Sequence, residues 1–261
     1  MRLLVAVLAS WRASILASLQ YRLDFFLTSI MSVLFGLWTV APLVLVYEYT
    51  EQVKGFRYHE ALLVMSFFLL LRGLLDAFIE PNLQGLVAKV RQGTLDFTLL
   101  KPADSQVLVS FAVIAPGRLV DLLSAVALAT YCLVALGKSP TPLQWAAAGV
   151  CVLSGVSILY SLWLVAAGTA FFWVKVESLT YLFGALLDAG RWPAAVYRGW
   201  LRFVLTFVLP ITLMTSMPAE ALLGVLEPEG LMTSLAVALV FLAGSRWFWR
   251  RAIGHYTSAS S

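Results

Sequence analysis

Two pairs of opposite charge lie inside or beside long apolar runs of the sequence, where charges are rare. Arg72 and Asp76 are four residues apart, and Arg118 and Asp121 are three residues apart. Either spacing allows an ion pair along one face of a helix. A charge at the centre of a membrane span costs about 2.5–3.5 kcal/mol, so charges that remain there are usually paired or functional. Two interpretations stay open: a polar lining of a conduit near its cytoplasmic gate, or pairs that fix helix depth and packing.

Residues suited to covalent or metal chemistry are sparse. The sequence contains no G-x-x-x-x-G-K-[ST] phosphate-binding loop, so this chain is not expected to hydrolyse nucleotide. Its two histidines, His59 and His255, are far apart, and Cys132 and Cys151 lie within apolar runs, where cysteine acts as a small hydrophobic side chain. We therefore predict that the chain is not an enzyme and holds no metal ion or cofactor of its own.

The composition indicates whether the chain folds in water or in a membrane. The chain has 261 residues, of which 61% are hydrophobic and 12% charged, and its mean hydropathy is +0.89. Soluble domains have roughly twice that share of charge. The net charge of +4 comes from cations at the ends of apolar runs, which indicates membrane topology rather than nucleic-acid binding. We predict an all-α, polytopic membrane protein that forms a single transmembrane domain over residues 1–261.

Apolar runs of about 20 residues mark the helices that can cross a bilayer. Five such runs are visible, at 25–47, 61–79, 119–136, 143–174 and 231–249.

A sixth span is predicted between the fourth and the last run, with two alternatives. In one, residues 200–217 form the fifth span and residues 175–199 are cytoplasmic. In the other, the fifth span starts near Val174, and residues 190–226 form an extracytoplasmic re-entrant hairpin broken around Pro193, Pro210 and Pro218. Irregular backbone at membrane depth requires cover from protein or a water-filled cavity.

Basic residues indicate the orientation of these spans. They cluster before the first run, after the second and after the last, so both termini and the segment 80–106 are predicted to be cytoplasmic. Arg191, Arg198 and Arg202 fit this rule only in the first alternative. Residues 1–22 are predicted to form a helix along the cytoplasmic leaflet or, alternatively, a cytoplasmic extension of the first span.

The segment 80–106, which we call the coupling segment, begins with an amphipathic helical pattern. Pro81 suits the first turn of a helix, and Gly93 suits its C-terminal cap. Four apolar residues between them share one face: Leu83, Leu86, Val87 and Val90. That face must pack against the membrane surface, the chain's own spans or a partner protein.

Residues 91–102, RQGTLDFTLLKP, carry a resemblance to a known family. They resemble the G-x-L-D-x-x-L-x-[KR]-P segment between the second and third spans of ABC-2 transporter permeases. Residues 21–25, YRLDF, resemble the Y-R-x-D-[FL] start of that family's first span. Residues 192–202, WPAAVYRGWLR, with the later prolines Pro210 and Pro218, resemble its [FY]-P…Y-x-x-W-[LI]-R…P…P-A region. Arg198 departs from the pattern, because the family often has proline there.

The resemblance implies a partner and a mechanism. In this family the coupling segment carries a helix that docks on a separate ATPase, which binds ATP and Mg²⁺. By that resemblance the ATPase-coupling residues here are Arg91, Gly93, Leu95, Asp96, Leu99, Lys101 and Pro102. Two ATPase copies and a second permease, identical or paralogous, are implied, in the branch that pairs two permeases with one ATPase. The family also places a re-entrant hairpin before the last span.

The expected function is that of a permease subunit of an ATP-binding cassette exporter in the bacterial cytoplasmic membrane. It would move a hydrophobic or amphiphilic substrate along a path lined by parts of the first, second and fifth spans. The alternatives are a secondary transporter and a non-transporting membrane scaffold or assembly factor. The sequence does not identify the substrate.

Overall fold

A computed structural model describes residues 2–53, 55–172, 183–185, 187–192 and 198–256. We number the elements in chain order: α1 Arg2–Gln20, α2 Arg22–Tyr49, β1 Gln52–Val53, β2 Phe56–Arg57, α3 Tyr58–Leu74, α4 Glu80–Arg91, α5 Asp96–Leu99, α6 Ser105–Ser110, α7 Leu119–Ala135, α8 Pro142–Gly168, α9 Gly199–Phe203, α10 Ile211–Leu223 and α11 Pro228–Ile253. The two strands form a small antiparallel hairpin between α2 and α3.

Five helical stretches in the described part of the chain are long and apolar enough to cross a membrane. They are Arg22–Tyr49, Tyr58–Arg91, Pro116–Ala135, Pro142–Phe171 and Pro228–Ile253. The first, second and fifth stretches contain the predicted runs in full, and the third ends at Ala135, one residue before the end of its run. The fourth covers its run as far as Phe171, and residues 173–174 lie outside the described residues. The predicted all-α, polytopic membrane class is confirmed, and the sixth span stays a prediction.

The second of these stretches is longer than its apolar run, because α4 continues directly from α3. A π-helical turn, Leu75–Ile79, joins the two. Pro81 has no N–H to donate to the carbonyl of Ala77 four residues earlier. That carbonyl instead accepts a hydrogen bond of 2.9 Å from the backbone N–H of Ala115. The stretch of 34 residues is about 50 Å long, so it reaches well beyond a hydrocarbon layer of about 30 Å.

Helix α8 lies at the centre of the bundle, and α2 lies at its edge. α8 packs against α11, α10 and α4, while α3 packs against α7 and α10. By contrast, the buried residues of α2 are Ser32, Thr39 and Leu43. Most of the apolar surface of α2 therefore faces outward, toward lipid or a partner.

Helix α1 is separate from α2, because the backbone breaks at Tyr21 (φ −97°, ψ 64°). Residues 1–22 therefore do not form a continuous helical extension of the first span, which was the second alternative. The indole of Trp11 packs against Phe78 at 5.6 Å between ring centroids, and its Nε1 donates to the carbonyl of Phe111 at 3.1 Å. These contacts hold α1 beside the start of the coupling segment. Its place on the cytoplasmic leaflet stays a prediction.

The stretch predicted as either the fifth span or part of a hairpin is broken in the middle. After α9, a π-helical turn over Val204–Val208 ends at Leu209, and α10 starts only after Pro210. The stretch 200–217, which is the fifth span in the first alternative, is therefore interrupted at Leu209 and Pro210. The second alternative predicts breaks around Pro210 and Pro218. The break at Pro210 is present, whereas the break at Pro218 is wrong, because α10 continues through Pro218. The start of a fifth span near Val174 and the turn at Pro193 lie outside the described residues, so the hairpin stays a prediction.

Candidate coupling site and membrane groove

The coupling segment is a compact set of three short helices whose first helix ends as predicted. Helix α4 stops at Gln92, and Gly93 has φ 65°, a left-handed conformation that favours glycine. The N–H of Thr94 then bonds to the carbonyl of Lys89 at 2.9 Å, as in a Schellman cap. This turn reverses the chain and brings α5 and α6 back toward the spans.

The apolar face of α4 packs against the chain's own helices. Leu83 and Leu86 are buried in the main hydrophobic cluster, together with Ile158 of α8, and Val87 and Val90 pack against the same cluster. The sequence left three surfaces open as the packing partner of this face, and in the structure the face packs against the chain's own spans. This face therefore does not need a partner protein to cover it.

The far end of the coupling segment exposes two large apolar side chains that the sequence did not single out. Phe97 is 73% exposed and Leu100 is 81% exposed, and both lie outside the five helical stretches that are long and apolar enough to cross a membrane. We call Phe97, Leu100 and the exposed cations Arg91 and Lys101 the coupling tip. The helical spacing in the sequence could have indicated this, because residues 97 and 100 share one face of a helix and residues 95 and 99 share the opposite face.

The predicted ATPase-coupling residues fall into two groups. Arg91, Lys101 and Pro102 are exposed at or beside the coupling tip. Leu95 is completely buried, and Leu99 packs against the same cluster, so these two anchor α5 rather than present a surface.

Asp96 lies against the end of the chain, where Tyr256 returns to the coupling segment. Burial, followed by the nearby Asp96 carboxylate, raises the pKa of the Tyr256 hydroxyl. The ring of Tyr256 also meets Phe171 edge-on at 6.0 Å. Tyr256, three residues after α11, therefore packs on the coupling segment.

A second polar cluster, which the sequence did not reveal, ties the end of the coupling segment to two spans. It consists of Asp104, Gln106, Ser110, Tyr160 and Arg246, and we call it the Asp104 clamp. The guanidinium of Arg246 donates to both carboxylate oxygens of Asp104, with Nη1 to Oδ1 at 3.0 Å. Nη1 also donates to Oε1 of Gln106 at 2.7 Å. Gln106 in turn donates to the hydroxyl of Tyr160 at 3.0 Å, and that hydroxyl lies 2.8 Å from Oγ of Ser110.

Asp104 has a second role in the same cluster as the N-cap of α6. Its Oδ1 accepts from the N–H groups of Gln106 at 3.0 Å and Val107 at 3.3 Å. The Arg246 guanidinium, together with these amides, holds the pKa of the Asp104 carboxyl below its ordinary value. Nearby, the indole N–H of Trp249 donates to Ser105 at 3.3 Å. The start of α6 is therefore held to α11 at two points.

The charged residues singled out first in the sequence meet between α2, α3 and α7. Nε of Arg72 lies 3.2 Å from Oδ1 of Asp76, and its Nη1 lies 3.5 Å from Oδ1 of Asp188. Asp188 also pairs with Arg191 at 3.7 Å. Close approach of α3 and α7 depends on Gly73, where a side chain would meet Leu122 at 2.9 Å.

Arg118 and Asp121 are bridged by Ser32 of α2 instead of forming the direct pair that their spacing allows. Nη1 of Arg118 donates to Oγ of Ser32 at 3.5 Å, and this Oγ donates to Oδ2 of Asp121 at 3.1 Å. The bridge holds α2 against α7 through hydrogen bonds. The position of α2 is thus set by this polar bridge as well as by the packing of Leu43 in a hydrophobic cluster.

An open groove of about 760 Å³ runs along α2 beside these charges. Arg72, Asp76 and Arg118 face it from one side. The other wall is apolar and comes from α2: Met31, Leu34, Phe35, Leu37, Trp38 and Ala41. Arg72 is about 21 Å along the helix from Tyr58, roughly two-thirds of the way across a hydrocarbon layer. The groove therefore combines an apolar wall with paired charges at membrane depth.

Comparison with known families decides the class of the protein. A sequence model described as ABC-2 family transporter protein matches residues 27–260, which is most of the chain. The chain belongs to the ABC-2 transporter family. It is therefore a multi-pass membrane component of an ABC transporter, a class that is generally non-catalytic and works with an ATPase. Comparisons with curated proteins and with solved structures each gave no match.

Proposed function

We propose that this ABC-2 protein is the permease subunit of an exporter, and that its separate ATPase docks on the coupling tip. The exposure of Phe97 and Leu100 carries the proposal. The rest of the coupling segment is folded against the chain's own helices, so these side chains are exposed on a fixed scaffold rather than on a loose loop.

The composition of the coupling tip suits a protein partner. Large apolar side chains surrounded by charge are typical of the residues that dominate binding energy at interfaces. Burying Phe97 and Leu100 in a cleft would each contribute about 1.5–3 kcal/mol. Arg91 and Lys101 beside them favour an acidic rim on the ATPase, and basic residues at this end of the spans agree with a cytoplasmic location.

The groove along α2 supports a hydrophobic or amphiphilic substrate. Its apolar wall can contact an acyl or aromatic group, while Arg72, Asp76 and Arg118 can contact a polar headgroup. A second permease, identical or paralogous, would close the groove by covering the outward face of α2. ATP-driven closure of two ATPase subunits would then move both coupling segments and open the interface between the permeases.

Membrane orientation follows from the same proposal. The ATPase, which binds ATP and Mg²⁺, is cytoplasmic, so the coupling tip and both termini would face the cytoplasm of a bacterial cell. The predicted extracytoplasmic hairpin over residues 190–226 would then lie at the opposite side of the bilayer.

The test is co-purification with the partner ATPase, followed by measurement of ATP hydrolysis. Phe97→Asp and Leu100→Asp should each weaken the complex by at least about tenfold, because each places a carboxylate where an apolar side chain must be buried. Gln92→Glu is the matched control, since it adds the same charge to an exposed position five residues before Phe97. That control should bind like the wild type.

Normal binding and normal ATPase stimulation in both Asp variants would contradict docking at the coupling tip. A wild-type chain that binds no ATPase, yet is inserted and folded, would instead favour a scaffold or a secondary transporter. Leu95→Asp is a poor test of docking, because Leu95 is completely buried and the change would unfold α5.

A further inference from the structure

The Asp104 clamp connects three parts of the molecule that are far apart in the sequence. Asp104 and Gln106 belong to the end of the coupling segment, Tyr160 belongs to α8, and Arg246 belongs to α11. The hydrogen bonds that join Arg246 to Gln106, Gln106 to Tyr160 and Tyr160 to Ser110 are each 3.0 Å or shorter. The end of the coupling segment is therefore connected to α8 and to α11 through directional bonds.

The clamp differs in kind from the apolar contacts of α4. Leu83 and Leu86 pack against α8 through dispersion and burial, which tolerate small sliding movements. The contact between Arg246 and Asp104 is bidentate and charge-assisted, so it fixes both distance and direction. A displacement of α6 must therefore displace Arg246 or break the clamp.

Asp104 also attaches α6 to α11, so that the two helices must move together. Because its carboxylate caps α6 and binds Arg246, the helix cannot rotate away from α11 without losing a cap, an ion pair or both. The hydrogen bond between Trp249 and Ser105 adds a second attachment one turn further along α11. Together they attach the start of α6 rigidly to the end of the last span.

We propose that the Asp104 clamp transmits movement of the coupling tip to α11, and that Asp104 and Arg246 are positioning residues for this coupling. The proposal rests on the proposed function, because it needs an ATPase that moves the tip. Helix α11 spans 26 residues and packs along α8, so a shift at its clamped end reaches the opposite end of the bundle.

The test measures movement at the far end of α11. Glu229 lies in the first turn of this helix and is exposed, so Glu229→Cys gives a thiol that a membrane-impermeant maleimide can reach. Cys132 and Cys151 are completely buried and can stay in place. In the complex with its ATPase, the labelling rate at position 229 should differ between the nucleotide-free state and the state trapped with ATP and vanadate.

Asp104→Asn is the main variant, because asparagine still caps α6 but lacks the charge that binds Arg246. It should reduce the nucleotide-dependent change in labelling by about threefold to fivefold, the effect of losing a partly exposed ion pair, while complex formation stays normal. Arg246→Gln should do the same, and the double variant should be no worse than either single variant, because both remove one interaction. Arg250→Ala, which removes an exposed cation from the same helix end, should leave the response intact.

A normal labelling response in Asp104→Asn and Arg246→Gln, in a complex that forms and hydrolyses ATP, would overturn the clamp proposal and leave the proposed function standing. Strictly additive losses in the double variant would also overturn it, because the two residues would then act separately. A wild-type chain that does not bind the ATPase would overturn both proposals.

Discussion

The two polar clusters of this protein are built differently, although both sit among apolar helices. The Asp104 clamp is closed: its carboxylate accepts from a guanidinium and two backbone amides at once. The cluster around Arg72 is open, with contacts of 3.2 to 3.7 Å and one side facing the groove. The difference shows that ionic groups in the same fold can either hold two helices together or remain accessible to a molecule in the groove.

This comparison also separates rigidity from exposure. Arg246 and Asp104 are each about one-third exposed, whereas Arg72 and Asp76 are 24% and 13% exposed. The more exposed pair is nevertheless the better bonded one. Burial alone therefore does not identify which cluster is structural and which can rearrange.

The largest expected effect comes from breaking the open cluster on one side. Asp76→Ala would remove the partner of Arg72 at 3.2 Å and leave the ion pair with Asp188 at 3.5 Å. We expect a loss of stability of about 2–3 kcal/mol, somewhat below the cost of orphaning a fully buried charge. The measurement is thermal unfolding of the detergent-solubilised protein, and an unchanged midpoint would contradict the pairing.

Removing both charges separates the two interpretations of the open cluster. Arg72→Met combined with Asp76→Leu should restore most of the stability lost in Asp76→Ala, because apolar replacement of a buried pair is often neutral. If the charges contact a polar headgroup in the groove, efflux of fluorescent acyl-chain amphiphiles should still fall by about tenfold or more. Full efflux with restored stability would show that the pair only fixes packing.

The bridge through Ser32 predicts a smaller effect. Ser32→Ala removes the hydroxyl that joins Arg118 to Asp121. We expect a loss of about 1 kcal/mol, the usual net value of one hydrogen bond. Ser29→Ala is the matched control on the same helix, because that hydroxyl bonds to the carbonyl of its own preceding turn. Equal unfolding midpoints for the two variants would contradict a bridging role.

The smallest effect concerns acid. The Asp104 carboxyl has a pKa below its ordinary value, so its contribution is fully present above that ordinary value and is lost as the pH falls through the lowered pKa. Because the pair is about one-third exposed, solvent screening limits this contribution to less than about 1 kcal/mol. Below about pH 4 the wild type should lose this increment relative to Asp104→Asn. An identical pH dependence of both unfolding curves would contradict the assignment.

The sequence was sufficient for the parts of the fold that depend on long apolar runs. The helices α2, α3, α7, α8 and α11 were predictable, because about 20 consecutive apolar residues have few alternatives to spanning a bilayer. The cap at Gly93 was predictable for a local reason, since a left-handed residue must end α4. The family followed from short motifs in the right order.

What the sequence did not reveal depends on contacts between distant residues. The Asp104 clamp joins residues separated by 142 positions, and nothing in the local pattern of Asp104 or Arg246 announces the other. Leu95, which the family resemblance placed among the ATPase-coupling residues, is buried, because packing on the spans decides which side of this turn faces inward. The direct junction of α3 with α4 was also hidden, because it relies on Ala115 to satisfy the carbonyl that Pro81 leaves without a donor.

The most direct test of the central claim is site-specific photo-crosslinking from the coupling tip in membranes that contain the ATPase. A benzoylphenylalanine at position 100 should crosslink to the ATPase, whereas the same residue at position 123, 71% exposed on α7, should crosslink only to lipid or to another permease. An ATPase adduct at position 100 but not at 123 is the predicted result. Lipid adducts alone at position 100, with the ATPase present and active, would contradict the account.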